Sequence, residues 1–328
     1  MPETNILPTS SEITRADRWD HFLTRWGYKR GAHRVEPGLY ALGKPEADSP
    51  VYVTANYALS FDALRSSLAG MDGYILVLDT KGVNVWCAAG KGSFGTDELV
   101  NRIKVTGLKE VVNHRIVILP QLGGPGVAAH EVKKRSKFRV EYGPVRAKDL
   151  PEYMKTRQAT PEMRRVTFNM MERLVLIPVE ISHYFLWILV GMVVLGLLSG
   201  WLTALAAAAS VFAGIVLFPL LLPWIPTRDF SSQGFLLGGL VAIPFAAYIL
   251  SGASTMPVWM NYAWAGVYLL CIPSVTSYLS LNFTGSTTFA SKTGVEREMK
   301  IYIRIIAGMF GIGSLLLIGL TLFRWIAL

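Results

Sequence analysis

The chain has 328 residues, 52% of them hydrophobic and 17% charged, with a formal net charge of +9. That balance is too apolar for an ordinary soluble domain, and its two cysteines, Cys87 and Cys271, are too few for a four-thiolate iron–sulfur cluster. They stand in very different contexts, one in the polar half and one inside an apolar run, which argues against a disulfide.

The first residues, MPETNILPTSSEITRADRWD, are polar and mixed in charge. They lack the basic and apolar regions of a signal peptide, which keeps the following domain in the cytoplasm. Residues 1–48 show no strong periodicity and read as an N-terminal extension. From Val51, VYVTANYAL reads as a buried strand, and Ser60-Phe61-Asp62 opens a short helix to about Leu68. GYILVLDT (73–80) is a second strand, and VNVWCAA (83–89) a third apolar stretch, read as a strand that ends at Cys87 before Gly90. Thr96 is a good N-cap for a helix through DELVNRIKV. RIVILP (115–120) is another strand closed by Pro120, QLGGPG a tight turn, VAAHEVKKRS a helix and FRVEYG (138–143) a last strand. Strands alternating with helices predict a Rossmann-like α/β domain over residues 49–165 with a largely parallel sheet.

Residues 131–165 hold 11 basic and 5 acidic residues just before the first long apolar run. Such a stretch is a topology signal and an anionic-lipid contact; no nucleic-acid motif accompanies it, so no nucleic-acid partner is expected. Residues 166–328 read as an all-α transmembrane bundle of about five helices, near 174–198, 201–224, 234–252, 257–280 and 302–325. The turn at Gly200 and the SGASTMP stretch are uncharged, whereas Arg228 and the loop with Lys292, Arg297, Lys300 and Arg304 are basic. The positive-inside rule then gives a multi-pass protein of the cell (inner) membrane. Its N-terminal domain is cytoplasmic and Leu328 lies outside, with Arg324 as the one mild violation. Glu180 and His183 fall close enough to the interface to anchor or pack the first span. Pro219, Pro223, Pro244 and Pro273 are candidate kinks, and Cys271 reads as a small buried apolar residue.

Chemistry concentrates in DTKGVNVWCAAGKGSFGT (79–96). The small residues Ala88, Ala89, Gly90 and Gly92 after Cys87 let a large flat partner approach the backbone, and a thiolate is the metal-binding form of cysteine. The residues alone leave a structural cysteine in a βα turn equally open. QLGGPGVAAHEV is a strand–turn–helix whose close backbone access suits a phosphate-bearing cofactor tail, though tight turns also need glycine for geometry alone. Thr54 and Asn56 at the end of the first strand, and Tyr142, Gly143 and Pro144 at the end of the last, sit where open α/β sheets place ligands, with Arg146 able to meet a phosphate or amide. Each could equally be a strand-end turn.

NVWCAAGK matches the signature of the corrinoid protein of the two-component mercury-methylation system. VYVTANYALSFDALR, GYILVLDTKG, PQLGGPGVAAHEVKK, VEYGPVRAKDLP and the five-span tail also resemble that family. The resemblance implies a cobalamin-type corrinoid, a cobalt-bound methyl group passed to Hg(II), and Cys87 as lower ligand of the cobalt. It implies cofactor contacts from Asn84, Val85, Trp86, Cys87, Ala88, Ala89, Gly90 and Lys91, and from Gln121, Leu122, Gly123, Gly124, Gly126 and Val127. Thr54, Asn56, Tyr142, Gly143, Pro144 and Arg146 complete the expected set. The family is similar to the large subunit of the corrinoid iron–sulfur protein of the acetyl-CoA pathway, whose four-cysteine cluster segment is absent here and which lacks the cysteine at position 87. Electrons would then come from the family's partner, a small ferredoxin-like protein with two four-iron clusters, and methyl groups from a folate-linked donor system. A histidine ligand of the D-x-H-x-x-G type is excluded, because none of His21, His33, His114, His130 or His183 has Asp two residues before it.

Two other readings stay open. One is a membrane-bound corrinoid methyl carrier of one-carbon (acetyl-CoA pathway) metabolism with a different acceptor. The other is a transporter with a regulatory cytoplasmic domain, against which the few polar groups in the spans argue. The stretch Asn282–Met299 reads as a long connection that, with the basic face at Lys133–Arg139, would dock the ferredoxin-like partner.

Overall fold

The computed structural model describes residues 5–252, 256–287 and 289–327, and the chain divides into two units, Met1–Val166 and Thr167–Leu328. In the first, six strands form one sheet: β1 (Ile6–Thr9), β2 (Gly38–Leu42), β3 (Val51–Ala55), β4 (Gly73–Leu78), β5 (Ile116–Leu119) and β6 (Arg139–Tyr142). Their order is β1-β2-β4-β3-β5-β6. The β2–β4 pair is antiparallel and the other pairings are parallel, so the sheet is mixed. The helices of this unit are α1 (Arg15–Arg25), α2 (Ala58–Ser67), α3 (Val85–Lys91), α4 (Thr96–Val105), α5 (Leu108–Val111), α6 (Ala129–Ser136), α7 (Leu150–Thr156) and α8 (Pro161–Arg164).

Alternation along the strands builds two apolar layers. Val51, Val53, Ala55, Leu76 and Leu78 pack with Ala88, Leu99, Ile103 and Val132 from α3, α4 and α6. Tyr52, Ile75, Val77 and Ile118 pack on the other face with Phe61 and Leu64 of α2, with Leu68 just after it, and with Leu150 and Tyr153 of α7. Because β3, β4, β5 and β6 run parallel, their C-terminal ends share one edge. The chain leaving β3 turns toward β4 and the chain leaving β5 turns the other way toward β6, so a topological switch point lies between β3 and β5.

Three expectations for this unit need correction. Residues 1–48 contain β1, α1 and β2. Helix α1 opens on a Thr14–Asp17 capping box in which each side chain accepts from the other's backbone N–H. The stretch 83–89 is not a strand: Val85, Ala88 and Ala89 are buried at helical spacing, and Asn84 caps α3 by accepting from the Cys87 N–H at 2.9 Å. In α4, Gly95 takes the N-cap position, and the Thr96 hydroxyl instead accepts from the Ala128 N–H at 2.9 Å.

The second unit contains α9 (Met170–Leu174), α10 (Ile177–Ser199), α11 (Trp201–Phe212), a π-helical segment Ala213–Leu217, α12 (Phe218–Leu221), α13 (Phe230–Leu250), α14 (Val258–Asn282) and α15 (Lys292–Ala327). Among the described residues five helical stretches are long and apolar enough to cross a membrane: Met170–Ser199, Trp201–Leu221, Phe230–Leu250, Val258–Ser286 and Thr293–Ile326. Pro244 and Pro273 lie inside α13 and α14. The α13–α14 contact is made by small residues: a Cβ on Gly234 would lie 2.5 Å from Ser277 Cα, and one on Gly238 2.6 Å from Pro273 Cα. The Ser277 hydroxyl donates to Ser231 O at 2.8 Å across that contact.

The supposed long connection Asn282–Met299 is mostly helical. A short 3₁₀ turn, Phe283–Ser286, follows α14, and α15 already begins at Lys292. The reason is that the charged start of α15 packs on the start of α13. Buried Glu298 accepts from the Ser231 N–H at 2.5 Å, and the Tyr302 hydroxyl donates to Asp229 at 3.1 Å. Glu180 accepts from the Ser286 hydroxyl at 3.3 Å, a packing role. Residues 253–255 of the SGASTMP stretch and Leu328 lie outside the described residues, and with them the expected side of the C-terminus.

Candidate functional site

The site is built from the turns that follow β4, β5 and β6. After β4 the chain reverses through Lys81 and Gly82, both in left-handed backbone, at φ 58° and 72°. Asn56, at the end of β3 and 1% exposed, holds this reversal: its carboxamide oxygen accepts from the Thr80 N–H (3.0 Å), the Thr80 hydroxyl (2.9 Å) and the Gly82 N–H (2.9 Å). Its amide nitrogen donates to Asp79 at 3.3 Å. The side chain thus acts on the turn that presents α3. Thr54 is buried within β3 beside it.

Cys87 occupies the first turn of α3 and is partly exposed; both cysteines are free thiols. Val85, Ala88 and Ala89 face the core, whereas Gly90 and Lys91, three and four residues beyond Cys87, are exposed on its side of the helix. A Cβ at Gly90 would meet nothing within 4 Å. The thiol therefore stands beside a helix position without side-chain bulk at Gly90, with exposed Lys91 one turn further on. Gly92, at φ 85°, stops the helix.

The glycine turn after β5 abuts α3. Gln121–Gly123 form a 3₁₀ turn. A Cβ on Gly126 would lie 2.1 Å from Phe94 O and 3.0 Å from Ala89 Cα, and one on Gly123 would lie 2.5 Å from the buried Phe94 ring. The Phe94 N–H donates to Ala88 O (3.1 Å) and the Thr96 N–H to Gly126 O (3.2 Å), stitching the two turns together. Two glycines are thus required by packing, while Gly124 has only a moderately close neighbour, Gln121 O at 3.1 Å. Leu122 packs against the core and Val127 is buried in it. At the end of β6, the Tyr142 hydroxyl donates to Val127 O at 2.5 Å, and burial pushes its phenol above the usual range, so it remains a donor. The Gly143 N–H donates to Leu119 O at 2.8 Å, and the Gln121 N–H to Pro144 O at 3.3 Å. The Gln121 side chain pairs with Arg164 at 2.8 Å. Arg146 precedes a 3₁₀ turn leading into α7.

The structure thus brings the 84–91 segment, the 121–127 turn and Tyr142–Pro144 onto one edge, and assigns Asn56 a supporting position. Phe94, Thr80 and Thr96 hold the site together and were not legible as site residues. Phe94 had one signal, a lone large apolar side chain in a glycine-rich stretch. Among the described residues no group of three or more His, Cys, Asp or Glu could hold a bare metal ion. The donor set offers one thiol beside a flat, open helix surface. One thiol suffices where a planar macrocycle already holds the metal.

Residues 28–152 match the family described as CO dehydrogenase/acetyl-CoA synthase delta subunit. The chain is also similar to acetyl-CoA decarbonylase/synthase complex subunit gamma of three archaea. With that of Archaeoglobus fulgidus it is 34% identical over 114 residues, 34% of this chain and 24% of the relative. With that of Methanothermobacter thermautotrophicus it is 32% identical over 127 residues, 38% of this chain and 27% of the relative. With that of Methanocaldococcus jannaschii it is 36% identical over 95 residues, 28% of this chain and 20% of the relative. The matched part of the chain spans about a quarter of the length of these curated relatives, and the family match falls within the first unit and contains Cys87, the glycine turn and Tyr142–Arg146.

Proposed function

We propose that the first unit binds a corrinoid over the edge formed by α3, the 121–127 turn and the end of β6, and that the chain is a membrane-anchored methyl carrier. The observation that carries this reading is the partly exposed Cys87 thiol beside an empty side-chain position at Gly90. A bound corrinoid supplies a cobalt centre able to hold and release a methyl group. Cys87, as thiolate, would be the ligand that the chain supplies to the cobalt. Electron donation from a thiolate ligand would favour release of methyl to an electrophile. Ala88, Ala89 and Gly90 would let the ring approach the helix, Lys91 would offset the thiolate charge, and the 121–127 turn would meet the polar tail.

The acceptor we propose is Hg(II), an electrophile with high thiol affinity, on the strength of the NVWCAAGK resemblance. The acetyl-CoA decarbonylase/synthase relatives support a second reading, a carrier whose acceptor belongs to one-carbon metabolism. Offering Hg(II), and separately one-carbon acceptors, to the purified, reduced, methyl-loaded chain tests the choice. Methylmercury formed in proportion to the methyl group lost from the protein is the expected result. Loss of methyl only to the other acceptors would remove Hg(II) from the account. A ferredoxin-like donor with two four-iron clusters would restore the reduced state, and a folate-linked system would reload the methyl group. We place the first unit in the cytoplasm, with Arg228 and the Lys292–Arg304 segment on the same side. Cysteine labelling at both segments from each side of sealed vesicles checks this, and opposite sides for the two would refute it.

A further inference from the structure

Helix α1 is turned inside out. Its aspartates and histidine face the body of the first unit: Asp17 accepts from Arg65 at 2.8 Å, His21 meets Asp62 at 2.7 Å, and Asp20 meets His33 at 2.5 Å. Buried Thr24 donates to Asp20 O at 2.7 Å. Arg65 is the hub, also donating to Asp62 (2.6 Å), Ser10 O (2.8 Å) and Glu12 O (2.5 Å). The outward face carries Arg15, Arg18, Trp19, Phe22, Arg25 and Trp26 at helical spacing, all exposed. Trp19 is 62%, Phe22 48% and Trp26 40% exposed. Trp19 stacks on Phe22 with centroids 5.4 Å apart, and Phe22 lies 6.0 Å from Trp26. Exposed Tyr28 and Lys29 extend the patch.

This exposure is not a loosely rotated helix. The partly buried polar network fixes which side faces inward, and half a turn about the axis would bury Arg15 and Arg18. The two aspartates of the helix are both committed to partners in the body, so the aromatic face carries arginines and no carboxylate. Clustered Trp and Phe rimmed by Arg match the headgroup layer of an anionic bilayer, where indoles sit at the interface and guanidiniums meet lipid phosphates. Among the described residues the same chain has five helices long and apolar enough to cross a membrane, so a bilayer is a surface available to this face. We propose that α1 docks on the surface of an anionic bilayer through Trp19, Phe22 and Trp26, holding the first unit against the membrane.

The test uses the full chain with Cys87 and Cys271 replaced by alanine, a nitroxide spin label at Phe22→Cys, and nanodiscs of phosphatidylcholine with or without phosphatidylglycerol. A label at Lys109→Cys, exposed on α5, is the reference. With phosphatidylglycerol, position 22 is expected to gain relaxation by lipid-soluble oxygen and lose relaxation by an aqueous neutral nickel chelate. Position 109 stays open to the chelate. Adding Trp19→Ala and Trp26→Ala should return position 22 to the aqueous pattern. Full chelate access at position 22 in both lipids would overturn the proposal. Shielding from both reagents would also overturn it, by assigning the face to a protein contact.

Discussion

Cys87→Ala is expected to lower methyl transfer by at least about a hundredfold, equivalent to ~3 kcal/mol of transition-state stabilisation. It should also shift the visible spectrum of the bound corrinoid. The substitution isolates the thiol: position 87 is in the first turn of α3, alanine is the best helix former, and the Asn84 cap accepts from a backbone N–H that alanine retains. The fold of α3 and the volume of the site therefore change little, and the corrinoid should still bind. Cys271→Ala, in α14, should alter neither activity nor spectrum. Full activity and an unchanged spectrum in Cys87→Ala would remove cysteine from the cobalt.

The second large effect is expected at the joint between α3 and the glycine turn. A Cβ at Gly126 would meet Phe94 O at 2.1 Å and Ala89 Cα at 3.0 Å, both backbone atoms with little room to give. Gly126→Ala should therefore destabilise the first unit by ~1–3 kcal/mol and weaken corrinoid retention by moving α3. Gly90→Ala is the contrast: nothing lies within 4 Å, and an added methyl inside a helix stabilises by roughly 0.5–1 kcal/mol. If the ring lies over α3, Gly90→Ala should nevertheless lower corrinoid affinity. Thermal unfolding and corrinoid titration of the two variants separate packing from cofactor contact. Unchanged affinity in Gly90→Ala would move the ring off this helix face.

Much of this architecture is legible in the residues, and the failures have physical causes. The five apolar runs stand out because a span needs about 20 apolar residues, a signal few other elements imitate. The β3 and β4 strands were readable because both their faces are covered, giving continuous apolar runs. VNVWCAA misled because Val and Trp favour strands, while the helical set Val85, Ala88 and Ala89 is short and its small members are weak apolar signals. Helix α1 was missed because its aromatics point outward and its Asp and His residues inward, opposite to the usual rule; only the Thr14–Asp17 spacing signalled it. The 282–304 segment looked like a loop because its charges hid a helix start whose Glu298 is buried on α13. At the site, the glycines of QLGGPG were found, but their division between packing and open surface depends on Phe94 and Ala89, neighbours only in three dimensions.

We propose that the first unit holds a corrinoid through Cys87. The most direct test is purification of the full chain under anaerobic conditions, followed by extraction and by spectroscopy of the intact protein. Cobalt and corrinoid are expected in equal amounts, with a spectrum that changes in Cys87→Ala and not in Cys271→Ala. A chain that retains no corrinoid after reduction and reconstitution, or one whose corrinoid spectrum is indifferent to Cys87, would contradict it.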